Sequence, residues 1–514
     1  MKIAIQGCCH GQLPTIYSTI QSLESANNYK VDLLLVCGDF QAIRNERDLQ
    51  CMAVPDKYKE LGEFYKYYTG EKKAPVLTIV IGGNHEASNY FWELFYGGWV
   101  APNIYFLGFA GSVLVNGIRI SGASGIFKAY NFNKGYFERQ PYSKDDVRSI
   151  YHIRESAIRQ LSLLPPSSPT STPTTIFLSH DWPLDITSYA HPSAVNQLLR
   201  KKPHFKQEVA EGKLGSPPLM GLLNVLRPRW WFSAHLHVGF DVRIWWGTSG
   251  STPEKPSFEK AKNPDEIVID DEELEGATAE APITVESTLN PSPASTSRNV
   301  DEIILNDLDG DADFDVAVPP PPPPPSEPPL LRLSPSEGWS TQFIALDKCL
   351  PKRKFLEVID VDTPDLPTVT NVADYHSPST SGGAMSAPSQ ATSGQSSSPI
   401  LTYDPHWLAI TRAFHPHVSL SKQQQSFPSE NVARAMVEEN LEWVRHNVPE
   451  GGKVRVQDIQ QFAHTAPGPN SHTAGKDKSK QPPAYSNPQT EAFCRMLMVY
   501  NFVNPDGVKV SRVE

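Results

Sequence analysis

No stretch of about 18 uninterrupted apolar residues occurs in the 514-residue chain, which leaves no candidate for a bilayer-spanning helix. The N-terminus Met1-Lys2-Ile3-Ala4-Ile5 turns polar at Gln6, too soon for a secretory apolar region, so the chain is expected to stay inside the cell. Cysteine is scarce: six residues, two of them adjacent at Cys8 and Cys9, make a poor disulfide framework, and free thiols in a reducing compartment fit better. Positive charge is also short. The net charge of −11 would argue against a polyanionic substrate, but the window from Asp265 to Asp315 holds 16 acidic residues against the single Arg298. Removing that −15 leaves the remainder at +4, a value that suits approach to phosphate backbones and equally a balanced neutral surface.

What is present is organised. From Lys2 to about Trp246, short β-branched and apolar runs recur, among them Lys2 to Gln6, Val31 to Val36, Pro75 to Ile81, Thr174 to Leu178 and Trp230 to Ser233. Between them, Leu13 to Leu23 and Val147 to Leu164 space apolar residues by three and four, as half-buried helices do. Strands alternating with helices predict a layered α/β domain over residues 1–250, and Asn116-Gly117 between Val115 and Ile118 predicts a type I′ hairpin. Residues 251–335, acidic and carrying seven consecutive prolines from Pro319 to Pro325, read as a disordered insertion. Order is expected again over 336–361, where Thr341 to Asp347 and Phe355 to Asp360 alternate like a hairpin around Pro351-Lys-Arg-Lys354 and would complete the core. Lys352-Arg353-Lys354 reads as a solvated turn or as a weak nuclear signal. A second disordered linker, 362–400, precedes a smaller, mainly helical C-terminal region, 401–514, with a loose segment at 464–487.

Polar residues appear abruptly where the apolar runs end. Lys2 to Gln6 runs into Gly7-Cys8-Cys9-His10-Gly11, and Val31 to Val36 into Cys37-Gly38-Asp39. Pro75 to Ile81 runs into Gly82-Gly83-Asn84-His85-Glu86, Thr174 to Leu178 into Ser179-His180-Asp181, and Trp230 to Ser233 into Ala234-His235-Leu236-His237. A lone histidine after a strand is usually structural, and Gly-Asp is as often a plain turn. Five clusters together place a thiol, imidazoles, a carboxylate and a side-chain amide at the sheet edge where α/β sites assemble. Such donors suit divalent transition metals, and the neighbouring glycines let backbones crowd around ions.

The order Cys8-x-His10, Gly38-Asp39, Gly83-Asn84-His85-Glu86, His180, His235-x-His237 resembles the calcineurin-like metallophosphoesterases. Two departures are visible: Cys8 stands where most members carry Asp, and Ala234 where they carry Gly. With Gln6-Gly-Cys-Cys-His-Gly-Gln12, Ser179-His-Asp-Trp-Pro183, Ser233-Ala-His-Leu-His237, Phe343-Ile-Ala-Leu-Asp-Lys-Cys349 and Asp404-Pro-His-Trp-Leu-Ala-Ile-Thr-Arg-Ala413, the sequence is similar to the RNA lariat debranching enzymes. The similarity covers Met1 to about Trp246, Trp339 to Asp360 and Tyr403 to Arg445. It implies a β-sandwich flanked by helices and one or two divalent ions, Fe²⁺, Zn²⁺ or Mn²⁺. Cys8, His10, Asp39 and His237 would surround one ion, and Asn84, His180, His235 and the bridging Asp39 the other. Such a pair, about 3.5 to 4 Å apart, shares an activated hydroxide. His85 would act as the general acid. Sulfur at position 8 favours Zn²⁺ or Fe²⁺ over Mg²⁺; the alternative is a buried, purely apolar Cys8 and a single ion.

The implied reaction is hydrolysis of the 2′,5′-phosphodiester at the branch of excised intron lariats, which implies branched RNA as partner and the nucleus as location, with shuttling to the cytoplasm left open. The loop Ser124 to Arg154 is the predicted RNA reader, because Phe127, Tyr130, Tyr136, Phe137 and Tyr142 interleave with Lys128, Lys134 and Arg139. Aromatic faces stack on unpaired bases while cations hold phosphates; the competing reading packs these rings beneath a surface loop. Arg412, His415 and Arg445 are further candidate phosphate contacts. Rival functions are a protein phosphatase or nuclease on the same scaffold, and an inactive scaffold recruiting protein partners through the proline tract within 251–335.

Overall fold

Ile3, Ile5, Leu33, Leu35 and Ile79 alternate along their strands with Ala4, Leu34, Val36 and Val80, and the two sets join different cores. The computed structural model describes residues 1–168, 174–246, 339–363, 398–469 and 477–509. Strands β1 (Lys2–Gln6), β2 (Leu33–Val36), β3 (Leu77–Val80), β4 (Gly98–Ala101) and β5 (Ile104–Phe106) belong to one sheet. The second sheet begins with β6 (Ala110–Val115), β7 (Ile118–Ala123), β8 (Thr175–Ser179), β9 (Trp230–Ser233) and β10 (Phe240–Trp245). The remaining strands are β11 (Ser340–Ala345), β12 (Leu356–Asp360) and β13 (Leu401–Tyr403). The first sheet has the order β12-β1-β2-β3-β5-β4 and the second β10-β11-β9-β8-β7-β6-β13.

One apolar cluster unites Ile3, Ile5, Leu33 and Ile79 of the first sheet with Ile120, Ile176 and Phe343 of the second, the filling of a sandwich. The outer face of the first sheet is covered by the helix Leu13–Asn27, whose buried Leu13, Ile16, Tyr17 and Ile20 follow helical spacing. That helix starts with proline in its first turn and stops at Asn28, which takes a left-handed φ of 51°. Asn116 and Gly117, at φ 48° and 79°, form the expected hairpin between β6 and β7.

Three sequence expectations are corrected. The segment 340–360 is not a hairpin: β11 pairs with β9 and β10, whereas β12 pairs with β1 in the other sheet. The link between them is longer than the roughly two to five residues of a hairpin loop, so it crosses from one sheet to the other. Val147 to Leu164 forms two helices, Lys144–Ser149 and Glu155–Ser162. Arg154 between them is fully buried and donates to the carbonyls of Asn131 and Ser149 as well as to Glu138, which requires irregular backbone there. The third correction concerns the start of the segment expected to be loose at 464–487, of which residues 470–476 lie outside the described residues. Its residues Thr465 and Ala466 donate their N–H groups to the Tyr68 hydroxyl, and the Thr465 hydroxyl donates to Glu93 at 2.6 Å.

The C-terminal residues share the core of the sandwich. β13 extends the second sheet beside β6, and Asp404 caps the helix Pro405–Phe414 while pairing with Arg119 of β7 at 2.7 Å. Burial alone would raise the Asp404 carboxyl, but Arg119, His406 and Ser112 hold it well below the usual range. No described helix is long and apolar enough to cross a membrane, and all six cysteines are free and buried. The acidic and proline-rich stretch 251–335, with any partner it recruits, and nearly all of 362–400 lie outside the described residues.

Arg44 is fully buried and donates to both Asp48 and Glu93 at 2.8 Å, and to Thr465 at 2.8 Å, with its guanidinium over the Tyr90 ring. Arg44→Ala would strand two interior carboxylates, which costs about 3–5 kcal/mol. The urea midpoint of unfolding is expected to fall accordingly; an unchanged midpoint would mean that the network contributes nothing.

Candidate metal centre

The five polar clusters converge because β1, β2 and β3 run parallel in one sheet, β8 and β9 run parallel in the other, and all five end at the same end of the sandwich. The loops turn sharply there. His10, Asp39, His235 and His237 all adopt left-handed φ values, 46°, 46°, 61° and 49°. Non-glycine residues take this region rarely, although Asn, Asp and His do so more readily, and each instance stores of order 1–3 kcal/mol. Glycines supply the remaining room. A Cβ on Gly83 would lie 2.2 Å from Asp39 Oδ1, and one on Gly38, at φ 101°, would lie 2.4 Å from His180 Nδ1. Ala234 has no positive φ, so its methyl group is accommodated without backbone strain.

Cys8 Sγ, Asp39 and the ring nitrogens of His10 and His237 lie within 4.8 Å of one another, a donor set that fits a divalent transition metal. His10 Nε2 and His237 Nε2 face each other at 3.1 Å, and His10 Nε2 lies 3.6 Å from Asp39 Oδ2. A second group meets the other carboxylate oxygen. His180 Nε2 is 3.3 Å from Asp39 Oδ1 and 3.1 Å from Asn84 Oδ1, and the His180 and His235 ring centroids are 5.0 Å apart. His180 Nδ1 must be the protonated nitrogen, because it donates to the Cys37 carbonyl at 2.7 Å and a carbonyl only accepts. Nε2 faces two acceptor oxygens, and although burial opposes it, Asp39 pushes the His180 pKa up, so any proton on Nε2 must leave before that nitrogen can bind an ion.

Electrostatics prepare these groups for a cation. Burial alone would raise the Asp39 carboxyl, but His180, His85 and His10 hold it well below the usual range. Burial lowers His10 to about 4, His235 to about 3 and His237 to about 2, so these imidazoles are neutral at physiological pH and can donate electron pairs. Burial, reinforced by Asp39, pushes the Cys8 thiol well up, and Cys8 Sγ accepts the His235 N–H at 3.2 Å. His85 is tethered through its N–H to Asp39 Oδ1 at 2.9 Å, but its ring stands outside the donor cluster, 5.6 Å from the His10 centroid and half-exposed.

Two supporting carboxylates had no assigned role in the sequence reading, although their motif strings contained them. Glu86 accepts the N–H groups of Phe40, Gln41 and Gly83 at 2.7 to 2.8 Å and so clamps the Asp39 loop to the Asn84 loop. Burial and the adjacent Asp39 push Glu86 up to about 7. Asp181 accepts from Trp182 N and Phe127 N, tying the start of the Ser124 to Arg154 loop to the His180 turn.

That loop is only partly as expected. Tyr136 and Tyr142 are buried, and Tyr136 packs against Trp92, Phe95 and Phe109, so neither ring is available to a base. Arg139 donates to the carbonyls of Tyr136 and Glu138 in the loop and of Leu420 in the C-terminal region, which ties it to backbone. Tyr130 is 56% exposed, and Lys134 Nζ lies between the Tyr130 and Phe137 rings, near 6 Å from each centroid. Phe127 and Lys128 are half-buried at the loop's anchored end. Periodicity cannot separate these two groups, since both are aromatics interleaved with cations.

Arg412 is turned inward onto Trp443, 3.9 Å from the ring centroid, and donates to Asn440 and the Leu497 carbonyl, which overturns its expected phosphate contact. His415 Nε2 donates to the Tyr500 carbonyl, and exposed Arg445 pairs with Glu442.

Two family models match the chain: calcineurin-like phosphoesterase over residues 1–239, and lariat debranching enzyme, C-terminal domain, over residues 338–502. Lariat debranching enzyme A of Xenopus laevis is 38% identical over 502 residues, 97% of this chain and 70% of that protein. The lariat debranching enzyme of Arabidopsis thaliana is 36% identical over 97% of this chain and 86% of its own length. That of Schizosaccharomyces pombe is 35% identical over 96% of this chain and 95% of its own length. Identity of this extent, spanning both the metal-site half and the C-terminal half, shows that the chain belongs to the lariat debranching enzyme family.

Proposed function

We propose that this protein is a lariat debranching enzyme that hydrolyses the 2′,5′-phosphodiester at the branch of excised intron RNA. The observation that carries the reading is the convergence of Cys8, His10, Asp39 and His237 within 4.8 Å in a chain of this family. Cys8, His10, Asp39 and His237 would hold one divalent ion, and Asn84, His180 and His235 would hold a second that shares Asp39. When bound, such ions supply a nucleophilic hydroxide at neutral pH and neutralise charge on the phosphoryl oxygens.

The protein's own groups do the rest. Asp39, buried and ionised, fixes the two donor groups relative to each other through its two oxygens. Glu86 keeps the two loops that carry Asp39 and Asn84 in register. His85, anchored by its backbone to Asp39 with its ring outside the donor cluster, is placed to give a proton to the departing ribose oxygen. Exposed Tyr130 with half-buried Lys134 and Phe137 form the cation and ring set that suits unpaired nucleotides. Sulfur at position 8 favours Fe²⁺ or Zn²⁺, with Mn²⁺ next and Mg²⁺ poorest. Action on excised introns would place the protein in the nucleus, as fractionation or imaging would test.

Metal-depleted protein resupplied with Fe²⁺, Zn²⁺, Mn²⁺ or Mg²⁺ is expected to cut a synthetic branched RNA at the branch and to leave its linear 3′,5′ control intact. Equal cutting of the two would reject the assignment. His85→Ala should lose turnover by roughly 10²- to 10⁴-fold while keeping its metal; Asp39→Ala should lose the metal itself. Cys8→Asp is expected to shift the metal preference toward Mn²⁺, and an unaltered profile would remove the proposed role of sulfur.

Two further outcomes follow from the geometry. Gly83→Ala drives a methyl group into Asp39 Oδ1, so bound metal and activity should both fall while far-ultraviolet circular dichroism is preserved. The buried Cys8 thiol must lose its proton on metal binding, so metal affinity should rise with pH. Titration of Cys8→Ala should show a slope of log affinity against pH about one unit smaller than native.

A further inference from the structure

The bend at 418–424, in the C-terminal region, packs along the Ser124 to Arg154 loop. The Ser419 carbonyl accepts the Tyr136 N–H at 2.8 Å, and the Leu420 carbonyl accepts Arg139 Nη2 at 2.9 Å. The two backbones meet so closely that a Cβ on Gly135 would lie 2.4 Å from the Ser419 carbonyl oxygen and 2.6 Å from that of Ser421. The bend also holds its own shape. The Ser419 and Ser421 hydroxyls both donate to the Gln423 carbonyl, at 2.7 and 2.9 Å, and Gln424 Nε2 donates to the His417 carbonyl at 2.8 Å. Lys422 stands exposed on this bend, with Nζ 5.2 Å from the centroid of the Phe137 ring.

Phe137 is thereby shared by cations from two remote parts of the chain. Lys134 Nζ lies 5.9 Å from the same centroid. Arg154, 5.5 Å from the ring, is fully buried and its charge is met by Glu138 at 2.5 Å. The two lysines have no such counter-charge. Among the described residues neither pairs with a carboxylate: Lys134 donates to Asn131 Oδ1 at 2.8 Å, and the Lys422 ammonium makes no hydrogen bond. One lysine over a ring is ordinarily a solvated side chain covering apolar surface. Two on one ring repel each other, yet backbone hydrogen bonds and a position with no room for a side chain at Gly135 hold their segments together, an arrangement that a bound anion relieves.

We propose that Lys422, together with Lys134, holds a backbone phosphate of the RNA strand that lies against Phe137, so that the C-terminal region supplies part of the substrate-binding surface. The loop itself leads there from the metal centre. Asp181, next to His180, accepts the Phe127 N–H at the loop's start, Phe127 packs on Phe132 at 5.6 Å, and Tyr130 and Phe137 flank Lys134 further along. A branch nucleotide joins three strands, and this surface takes one of them. Neither lysine contacts a metal donor, so the phosphate they hold is not the one that reacts, and loss of Lys422 falls mainly on KM.

This role presupposes the debranching reading, and its test separates the two. Full-length, metal-loaded native protein and the variants Lys422→Gln, Lys422→Met, Lys422→Arg and Lys134→Gln would be titrated with branched RNA carrying a non-hydrolysable branch linkage, over a range of potassium chloride concentrations. Lys422→Gln and Lys422→Met are expected to bind roughly tenfold more weakly, about the worth of one charge-assisted hydrogen bond. Their slope of log affinity against log salt should shrink by about 0.7, the value for one phosphate contact on a single strand, and Lys134→Gln should shrink it similarly. Lys422→Arg keeps the charge and should keep the native slope. Methionine preserves an apolar stem over Phe137 without the charge, so native affinity and slope in Lys422→Met would mean that the lysine merely covers the ring, and would overturn the proposal. An unchanged slope in Lys422→Gln or Lys134→Gln, or a reduced one in Lys422→Arg, would overturn it as well. Lys213→Gln, at an exposed lysine paired with Glu211, serves as the surface control and should behave as native. Failure of the native protein to cleave hydrolysable branched RNA in parallel would sink the debranching reading instead, and the salt slopes would still decide whether Lys422 holds RNA phosphate.

Discussion

One buried carboxylate organises this end of the molecule. Asp39 is 1% exposed and ionised, and its two oxygens face two separate groups of donors: Oδ2 toward His10 and its neighbours, Oδ1 toward His180 and the His85 N–H. An isolated charge at that depth would be prohibitively costly, so the surroundings must supply positive potential. Amide dipoles and imidazoles do so in part, and a bound divalent cation would complete it. The same need explains the glycines. Any side chain on Gly83 or Gly38 would occupy the space through which Asp39 and His180 approach each other.

The strain at four donor residues is sustained only because the platform beneath them is rigid. The loops bearing His10, Asp39, His235 and His237 each leave a strand locked in parallel register: Gln6 opposite Val36, Val36 opposite Val80, and Phe232 opposite Leu178. Cross-braces then bind loop to loop. Glu86 joins the β2 and β3 loops, the Trp182 indole donates to the Ala234 carbonyl, and Cys349 N joins the Cys8 loop to the β11–β12 link. Each brace fixes backbone, so the donor side chains inherit their positions from the sandwich instead of having to find them when an ion binds.

Legibility in the sequence followed the range of the interaction. β1, β2, β3, β8 and β9 were readable because each is a local run of apolar residues ended by glycine or by a polar cluster, and the donor set was readable because those ends coincide. β4 and β13 were not, since Gly98-Trp-Val-Ala101 and Leu401-Thr-Tyr403 are too short to show a period. The division of β11 and β12 between two sheets was invisible for a different reason: alternation reports that a strand has a buried face but not which partner it meets. Tyr136 and Tyr142 share the composition of their exposed neighbours, and only the core beneath them, with Trp92 and Phe95, separates packing rings from accessible ones.

The same topology explains how a catalytic fold tolerates a long interruption. β10 and β11 are antiparallel neighbours with Trp245 opposite Ser340, and Trp246 N donates to the Trp339 carbonyl at 2.8 Å, so the chain leaves and rejoins the sheet at adjacent points. Because β11 runs parallel to β9, with Gln342 opposite Trp230 and Ala345 opposite Ser233, those points lie at the end of the sheet remote from Ala234 to His237. Loop-closure entropy grows only logarithmically with length, each doubling costing about 0.6 kcal/mol, and a closed β10–β11 pair bears that cost readily. An interruption at the opposite end would have had to pass through the β11–β12 link, where displacement of Asp347 would be transmitted to Gly7 and Cys8. Length is therefore tolerated where the two strands are already paired edge to edge, and is confined where the link itself braces the loops of the metal site.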